Sequence, residues 1–326
     1  MISKPQNYPS PLGEPVPFIR EDRGGFSSRI FGLGEIVYDI LFKQMQPLTA
    51  KAGGSVLNAL VSLARVGREV YMISETGSDL VADAIIAFLK ENSVNTGYIN
   101  QLNGMSTLAL AFLNEKNEAE YQFFKDDSAK REDFNIPDFT SDDTLLFGSF
   151  YGINPDVRPN VLSIVNRARE VGATIYYDPN FRAGHLKHGN REQLVKAIEE
   201  NFGLADIVRG SDEDFQNIYG ETSPEKVYEI VSAFCPNLII TASSSKVHTF
   251  SKNSHQQFKV PQIETVSTVG AGDNFNAGII HQLVKLGVKR DGDNITIPDW
   301  KPLIKSGIRF SAAVCKSLEN YVPEGF

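Results

Sequence analysis

Val266–Gly278 reads VSTVGAGDNFNAG and joins a β-rich run (258–268, FKVPQIETVST) to a strongly helical one (273–287, DNFNAGIIHQLVKLG). Small residues at a helix start leave backbone N–H groups uncovered and let an anion approach closely. The helix dipole adds a partial positive charge there. Gly270, Ala271 and Gly272 therefore outline an oxyanion or phosphate pocket, and Asp273 holds a carboxylate beside it. A base next to an anion hole suits phosphoryl transfer to a hydroxyl. On spacing alone, a tight turn with a helix-start acid that merely favours the dipole explains the same residues equally well.

Outward from this turn, the chain alternates strand-like and helix-like runs. Apolar, β-branched stretches stand at 29–42, 68–77, 143–150, 174–180, 206–211 and 237–243. Helical spacing marks 55–67, 79–94, 161–172, 191–203, 273–287 and 302–318. Such alternation predicts an α/β fold with a mainly parallel sheet covered on both faces, its ligands bound beyond the carboxyl ends of the strands. Residues 106–124 break the rhythm: two alternating runs flank the polar 114–118, a hairpin signal and a candidate lid. Residues 246–260 form a second hairpin-like piece.

Residues 1–27 are polar and carry Pro5, Pro9, Pro11, Pro15 and Pro17, and read as a loosely packed N-terminal extension; 28–326 read as the folded domain. Across the 326 residues, 41% hydrophobic and 22% charged content is ordinary for a globular protein, and a formal charge of −8 argues against a nucleic-acid partner. No run is long and apolar enough for a membrane span, and the start lacks a secretory pattern, so a cytoplasmic location is expected. Cys235 and Cys315 are far apart and read as reduced thiols. The five histidines show no metal spacing, and GHLKHG (184–189) reads as a surface loop. Gly32 and Gly34 lack the third glycine of a dinucleotide fingerprint, and a P-loop motif is absent from the sequence.

The 266–278 stretch resembles the D-T-x-G-A-G-D-x-F-x-A-G signature of the PfkB, or ribokinase-like, carbohydrate kinases, matching at Thr268, Gly270, Ala271, Gly272, Asp273, Phe275, Ala277 and Gly278. LTAKAGGSVLNALVSLARVG (48–67) resembles the family's N-terminal signature at Gly53, Gly54, Asn58, Ala59 and Gly67, and GEIVYDI (34–40) its first strand. YDPNFR (177–182) and YQFFKDDSA (121–129) resemble the fructokinase and 2-keto-3-deoxygluconate kinase branches, with Lys125 where an arginine usually stands.

This resemblance implies a ribokinase-like three-layer α/β/α fold with a small β-sheet lid, from strands near 36–50 and 106–126. It implies an ATP- and Mg2+-dependent sugar kinase, fructose-type, with Asp273 as base and Gly270, Ala271, Gly272 and Arg182 holding charge. Asp39, Gly53, Gly54, Asn58 and Asn180 fall to the sugar. Ser211, Asp214, Thr241, Ser243 and Ala312 fall to the nucleotide side, with Asp214 reaching magnesium through water. A homodimer through the lid is expected because exposed lid strands have edges to cover.

Four positions depart from the pattern. Ser267 replaces the Asp that helps set a monovalent-cation site, so K+ activation is not implied. Ser211 and Asp214 replace Asn and Glu, and Ser243 replaces a turn glycine. These departures frame two competing expectations: a sugar-binding sensor that kept the fold, and a ribose or nucleoside kinase.

Overall fold

The computed structural model describes residues 28–114, 119–126, 134–188, 190–242, 245–292 and 294–326. The N-terminal extension and Ser243 lie outside the described residues.

The first half of the chain runs β1 (Ile30–Leu33), β2 (Val37–Lys43), β3 (Gln46–Gly53), α1 (Ser55–Arg65), β4 (Val70–Thr76), α2 (Leu80–Glu91), β5 (Val94–Gln101), β6 (Leu108–Leu113), β7 (Ala119–Phe124) and β8 (Thr144–Gly148). It continues through α3 (Arg158–Glu170), β9 (Thr174–Asp178), α4 (Arg191–Leu204), β10 (Ile207–Ser211), α5 (Asp212–Tyr219), α6 (Pro224–Val231), β11 (Leu238–Ala242), β12 (Lys246–Ser251), β13 (Ser254–Lys259), α7 (Ala271–Leu286) and α8 (Trp300–Val314).

The main sheet has nine strands in the order β13-β12-β11-β10-β9-β8-β1-β4-β5. Pairing is parallel from β5 to β11, and the β12–β13 hairpin closes one edge antiparallel. Because successive strand residues face opposite ways, Ile30, Leu146, Tyr176, Ile207 and Ile239 pack under α1, α2, α7 and α8. Their neighbours Phe31, Leu145, Phe147, Tyr177, Val208 and Ile240 pack under α3 to α6. Two cores thus sandwich one sheet, and every parallel strand ends at the same rim.

A separate four-stranded sheet, ordered β3-β2-β6-β7, stands over that rim. The run 29–42 therefore divides between the two sheets at Gly34–Ile36. The strand β5 carries no apolar signal, since VNTGYINQ is a polar edge strand with Gly97 inside it. Within the GHLKHG stretch, Gly184–His188 lie in a 3-10 turn over Ala183–His188 at the surface, and Gly189 is outside the described residues.

Glycines set the depth of two packings. A Cβ at Gly32 would meet Leu60 and Val56 at 2.6 Å, so Gly32 lets α1 lie directly on β1. A Cβ at Gly278 would meet the Ser306 carbonyl oxygen at 2.5 Å, where α7 crosses α8. Gly203 in α4 has nothing within 4 Å of its Cβ position. Gly278→Ala is expected to lower the thermal midpoint, at a cost of about 1–3 kcal/mol, while Gly203→Ala holds or raises it. Thermal unfolding followed by circular dichroism checks the contrast.

Candidate active site

The turn before α7 takes its shape from Gly270, whose φ of 77° is left-handed and whose Cβ would crowd the Asn320 carbonyl oxygen at 2.9 Å. Asn274 fixes this turn from below by donating its Nδ2 to the carbonyls of Gly270 (2.8 Å) and Asn320 (2.7 Å). The backbone amides of Ala271 and Gly272 follow, and Asp273 sits half-buried in the first turn.

Asn58 of α1 donates its Nδ2 to Asp273 Oδ2 at 2.8 Å, across 215 positions of sequence. Burial pushes Asp273 up to about 6, against the lowering effect of Asn58; the nearby Asp178 raises it further, while Arg209 and Arg182 lower it. Asp39, buried on the lid strand β2, is pushed up to about 7 by desolvation, partly offset by Lys51 and reinforced by the charge of Asp273. Its carboxylate fits because Gly53 has no side chain: a Cβ there would lie 2.0 Å from Asp39 Oδ2. Gly54, at φ 122°, passes against the Glu35 carbonyl oxygen. Asp39, Gly53, Gly54, Asn58 and Asp273 thus form one cluster between α1, α7 and the lid.

The second cluster lies at the ends of β9, β10 and β11. Asp178 accepts from Arg209 Nη1 (2.9 Å) and from Asn276 Nδ2 (2.5 Å), while its Oδ1 receives the Asn180 amide at 2.9 Å. Asn180 takes a left-handed φ of 38°. Arg209 is buried, donates to Thr241 Oγ1 at 2.6 Å, and lies against the anion-hole turn, 3.0 Å from where a Cβ on Gly272 would be.

Ser211 and Asp214 form a capping box on α5: Asp214 Oδ2 accepts from the Ser211 amide (2.7 Å) and hydroxyl (2.6 Å), and the Asp214 amide donates to Ser211 Oγ (3.1 Å). Asp214 Oδ1 is buried without a protein hydrogen-bond partner and lies 4.0 Å from Arg182 Nη1. Burial and then Asp178 raise the Asp214 carboxyl. Arg182 is exposed and pairs with Glu213 at 2.8 Å. Ala312 stands apart from both clusters, one turn before Cys315, whose carbonyl accepts from the Val266 amide (2.8 Å). The Ser267 hydroxyl accepts from the Val269 amide (3.2 Å).

Several residues of this site carried no sequence signal. Arg209 and Asn276 form the buried charge network with Asp178, which the YDPNFR stretch had marked, yet these two read as an ordinary strand-end and an ordinary helix residue. Tyr121 on β7 lies opposite Ala111, on the face of the lid sheet that Asp39 shares, and desolvation and then the charges of Asp39 and Asp273 raise its hydroxyl. The C-terminal segment ties the lid to the turn, since Tyr321 donates to the Ala52 carbonyl and Lys51 to that of Leu318, while Asn320 seats Gly270.

The model of the pfkB family carbohydrate kinases matches residues 33–317. The chain belongs to that family. As a pfkB carbohydrate kinase it is similar to a probable fructokinase-2 of Arabidopsis thaliana, with 26% identity over 80% of this chain and 78% of the relative. Fructokinase-2 of Solanum lycopersicum matches at 26% over 80% and 79%. Among solved structures, the Vibrio cholerae O395 fructokinase with fructose, ADP and calcium ion superposes with a TM-score of 0.76 at 21% identity, covering 90% of this chain and 94% of that one. The Salmonella enterica aminoimidazole riboside kinase, complexed with its riboside and an ATP analog, gives 0.75 at 19%, covering 92% and 97%. These likenesses confirm the ribokinase-like fold.

The Asn58 hydrogen bond favours the charged form of Asp273. If Asp273 is the base, removing this hydrogen bond in Asn58→Ala is expected to move the acid limb of the kcat/KM–pH profile, expected near pH 6 in the parent, to higher pH. Lost sugar contacts alone would lower the plateau and leave the limb in place.

Proposed function

We propose that this sugar kinase transfers the γ-phosphate of ATP to a primary hydroxyl of a neutral, fructose-type sugar. The observation that carries the reading is the Asn58–Asp273 hydrogen bond, which joins a sugar-facing helix to a base beside an anion hole. Asp273, raised to about 6, is largely ionised at neutral pH and still basic enough to take a hydroxyl proton as the oxygen attacks. Asp39, with Gly53, Gly54 and Asn58, holds the sugar hydroxyls, Asn180 flanks them, and Tyr121 closes over them from the lid. The amides of Ala271 and Gly272 stabilise charge on the group in flight. Arg209 behind the turn and Arg182 at its mouth supply positive charge.

Thr241, Ser211 and Ala312 mark the nucleotide side. Asp214 Oδ1 and Glu213 are the carboxylate oxygens suited to magnesium there, through water, since magnesium keeps most of its shell and shares it with phosphates. Bound there, it would neutralise charge on the β- and γ-phosphates.

A neutral sugar fits better than a sugar acid. Lys125 is already paired with Glu35 at 2.5 Å, and the adjoining cleft is also lined by Glu75 and Asp126. A substrate carboxylate would have to displace Glu35 and face like charges. The two free, buried cysteines suit a reducing compartment such as the cytoplasm, and no helix among the described residues is long and apolar enough to cross a membrane.

ADP release with magnesium-ATP is expected with fructose and weak or absent with 2-keto-3-deoxygluconate, ribose, tagatose and nucleosides. Asp273→Asn is expected to lose roughly 10²–10⁴-fold in kcat. A sugar that binds without turnover would point instead to a sensor. Turnover of the acid in preference to fructose would overturn the neutral-sugar reading alone.

The lid face turned from the cleft carries Ile40, Phe42, Leu110, Phe112 and the exposed Phe124, with Phe42 and Phe112 stacked at 5.0 Å. A second copy of this lid is the occupant we propose, since it would also cover the edges β3 and β7. Sedimentation is expected to give a dimer mass that Phe112→Glu halves.

A further inference from the structure

Away from the cleft, the hairpin edge of the main sheet brings three metal-ligating side chains together from three elements. His248 on β12 lies opposite Gln257, and His255 on β13 lies opposite Phe250. The two imidazoles therefore project from the same face of the hairpin, diagonal to one another. His248 Nδ1 and His255 Nε2 are 3.2 Å apart. Glu225, in the first turn of α6, brings Oε1 to 4.0 Å from His255 Nδ1. One ligand atom from each of the three residues lies within 4.8 Å of the others.

We propose that Glu225, His248 and His255 bind a transition-metal dication, zinc being the best match, which clips the β12–β13 hairpin to helix α6. Two imidazole nitrogens on a tetrahedral zinc, each about 2.0–2.1 Å from the ion, stand roughly 3.3 Å apart. The observed separation already has this bite. Two neutral imidazoles and one carboxylate are a donor set zinc accepts, with water in the fourth position. Magnesium and calcium, which take oxygen ligands, are poorly served by it.

The rings are also preorganised. Phe250 stacks on His255 at 4.1 Å with 12° between planes, and Tyr228 of α6 stacks on Phe250 at 4.6 Å. This wall holds the imidazoles in place and keeps water from one side. His248 is buried, with its Nδ1 turned toward His255. Glu225 is exposed, and while its Oε2 accepts from Ser223 Oγ at 3.2 Å its Oε1 faces His255.

The bare protein can satisfy the His248–His255 contact with one bridging proton, which holds the hairpin together but leaves α6 linked to it by packing and the long Glu225–His255 contact. A metal ion would add coordinate bonds between β12, β13 and α6. The strand β13 is the sheet edge, and fastening it also protects an exposed row of backbone groups from pairing with another chain.

The test uses the full chain, stripped with a chelator and gel-filtered, titrated with zinc chloride against a chromophoric indicator and, separately, with cobalt chloride. One equivalent of zinc and an intense visible cobalt band of tetrahedral type are expected, both unchanged by excess magnesium that would occupy the cleft carboxylates. His255→Gln is expected to abolish the cobalt band and Glu225→Gln to weaken zinc binding. Both variants should melt near the parent in chelator, and zinc should raise the midpoint of the parent but not of His255→Gln. Absence of stoichiometric binding, or equal binding by the parent and both variants, would overturn the proposal.

Discussion

Arg209 is a buried guanidinium set among buried carboxylates. Asp178 and Asp214 lie close enough to raise its proton affinity, and Asp178 takes its Nη1 directly. Buried charge is costly unless it is paired and hydrogen-bonded. Here the pairing also builds the site. The guanidinium spans β9, β10 and β11 through Asp178 and Thr241, and Asn276 of α7 shares the same Asp178 oxygen. The glycine-rich turn before α7 rests on this network, so that helix is keyed to three strand ends by hydrogen bonds rather than by apolar contact alone. Removing the cation would leave Asp178 without its ion-pair partner, leave Asp214 with Arg182 alone, and loosen the support of the turn at the same time.

The same economy of contacts governs the other cluster. Asp39 can approach Gly53 only because that residue lacks a Cβ, and α1 can lie on the sheet only because Gly32 does. Close backbone packing at those points brings Asn58 within reach of Asp273. The lid is not an independent flap. Its base is tied by Tyr321 and Lys51 to the C-terminal segment, and Asn320 of that segment seats Gly270. A change in lid position is therefore coupled mechanically to the anion-hole turn through a few residues of chain.

Legibility in the sequence followed the physics of each element. The parallel sheet and the major helices were readable because buried strands are continuously apolar and amphipathic helices keep their period. The two glycine-rich signatures were readable because their glycines answer local demands, a left-handed φ at Gly270 and a close approach at Gly53. The polar edge strand β5 left no such trace. Nor did Arg209, because its meaning comes from partners 31 and 32 positions away that only the parallel pairing brings near. Ser211 and Asp214 show the reverse case. Read by position, they belong to the nucleotide, but in the fold one oxygen of Asp214 is fully engaged in capping α5, and its other oxygen alone is left for a ligand.

Asp39 and Asp273 also constrain one another. Burial raises Asp39 to about 7 and the charge of Asp273 adds to that, so in the bare protein at neutral pH Asp39 is close to half protonated. Coupled carboxyls titrate as a pair, and a change at one is felt at the other. In the proposed mechanism a bound sugar donates hydroxyl hydrogen bonds to Asp39, which favours its ionised form. By reciprocity, an ionised Asp39 makes Asp273 a stronger base. In the same mechanism a metal ion brought with the nucleotide would act in the opposite sense and favour the ionised form of Asp273. The base is thus strengthened by the acceptor and held deprotonated by the donor, and it is best matched to its task only when both are in the cleft.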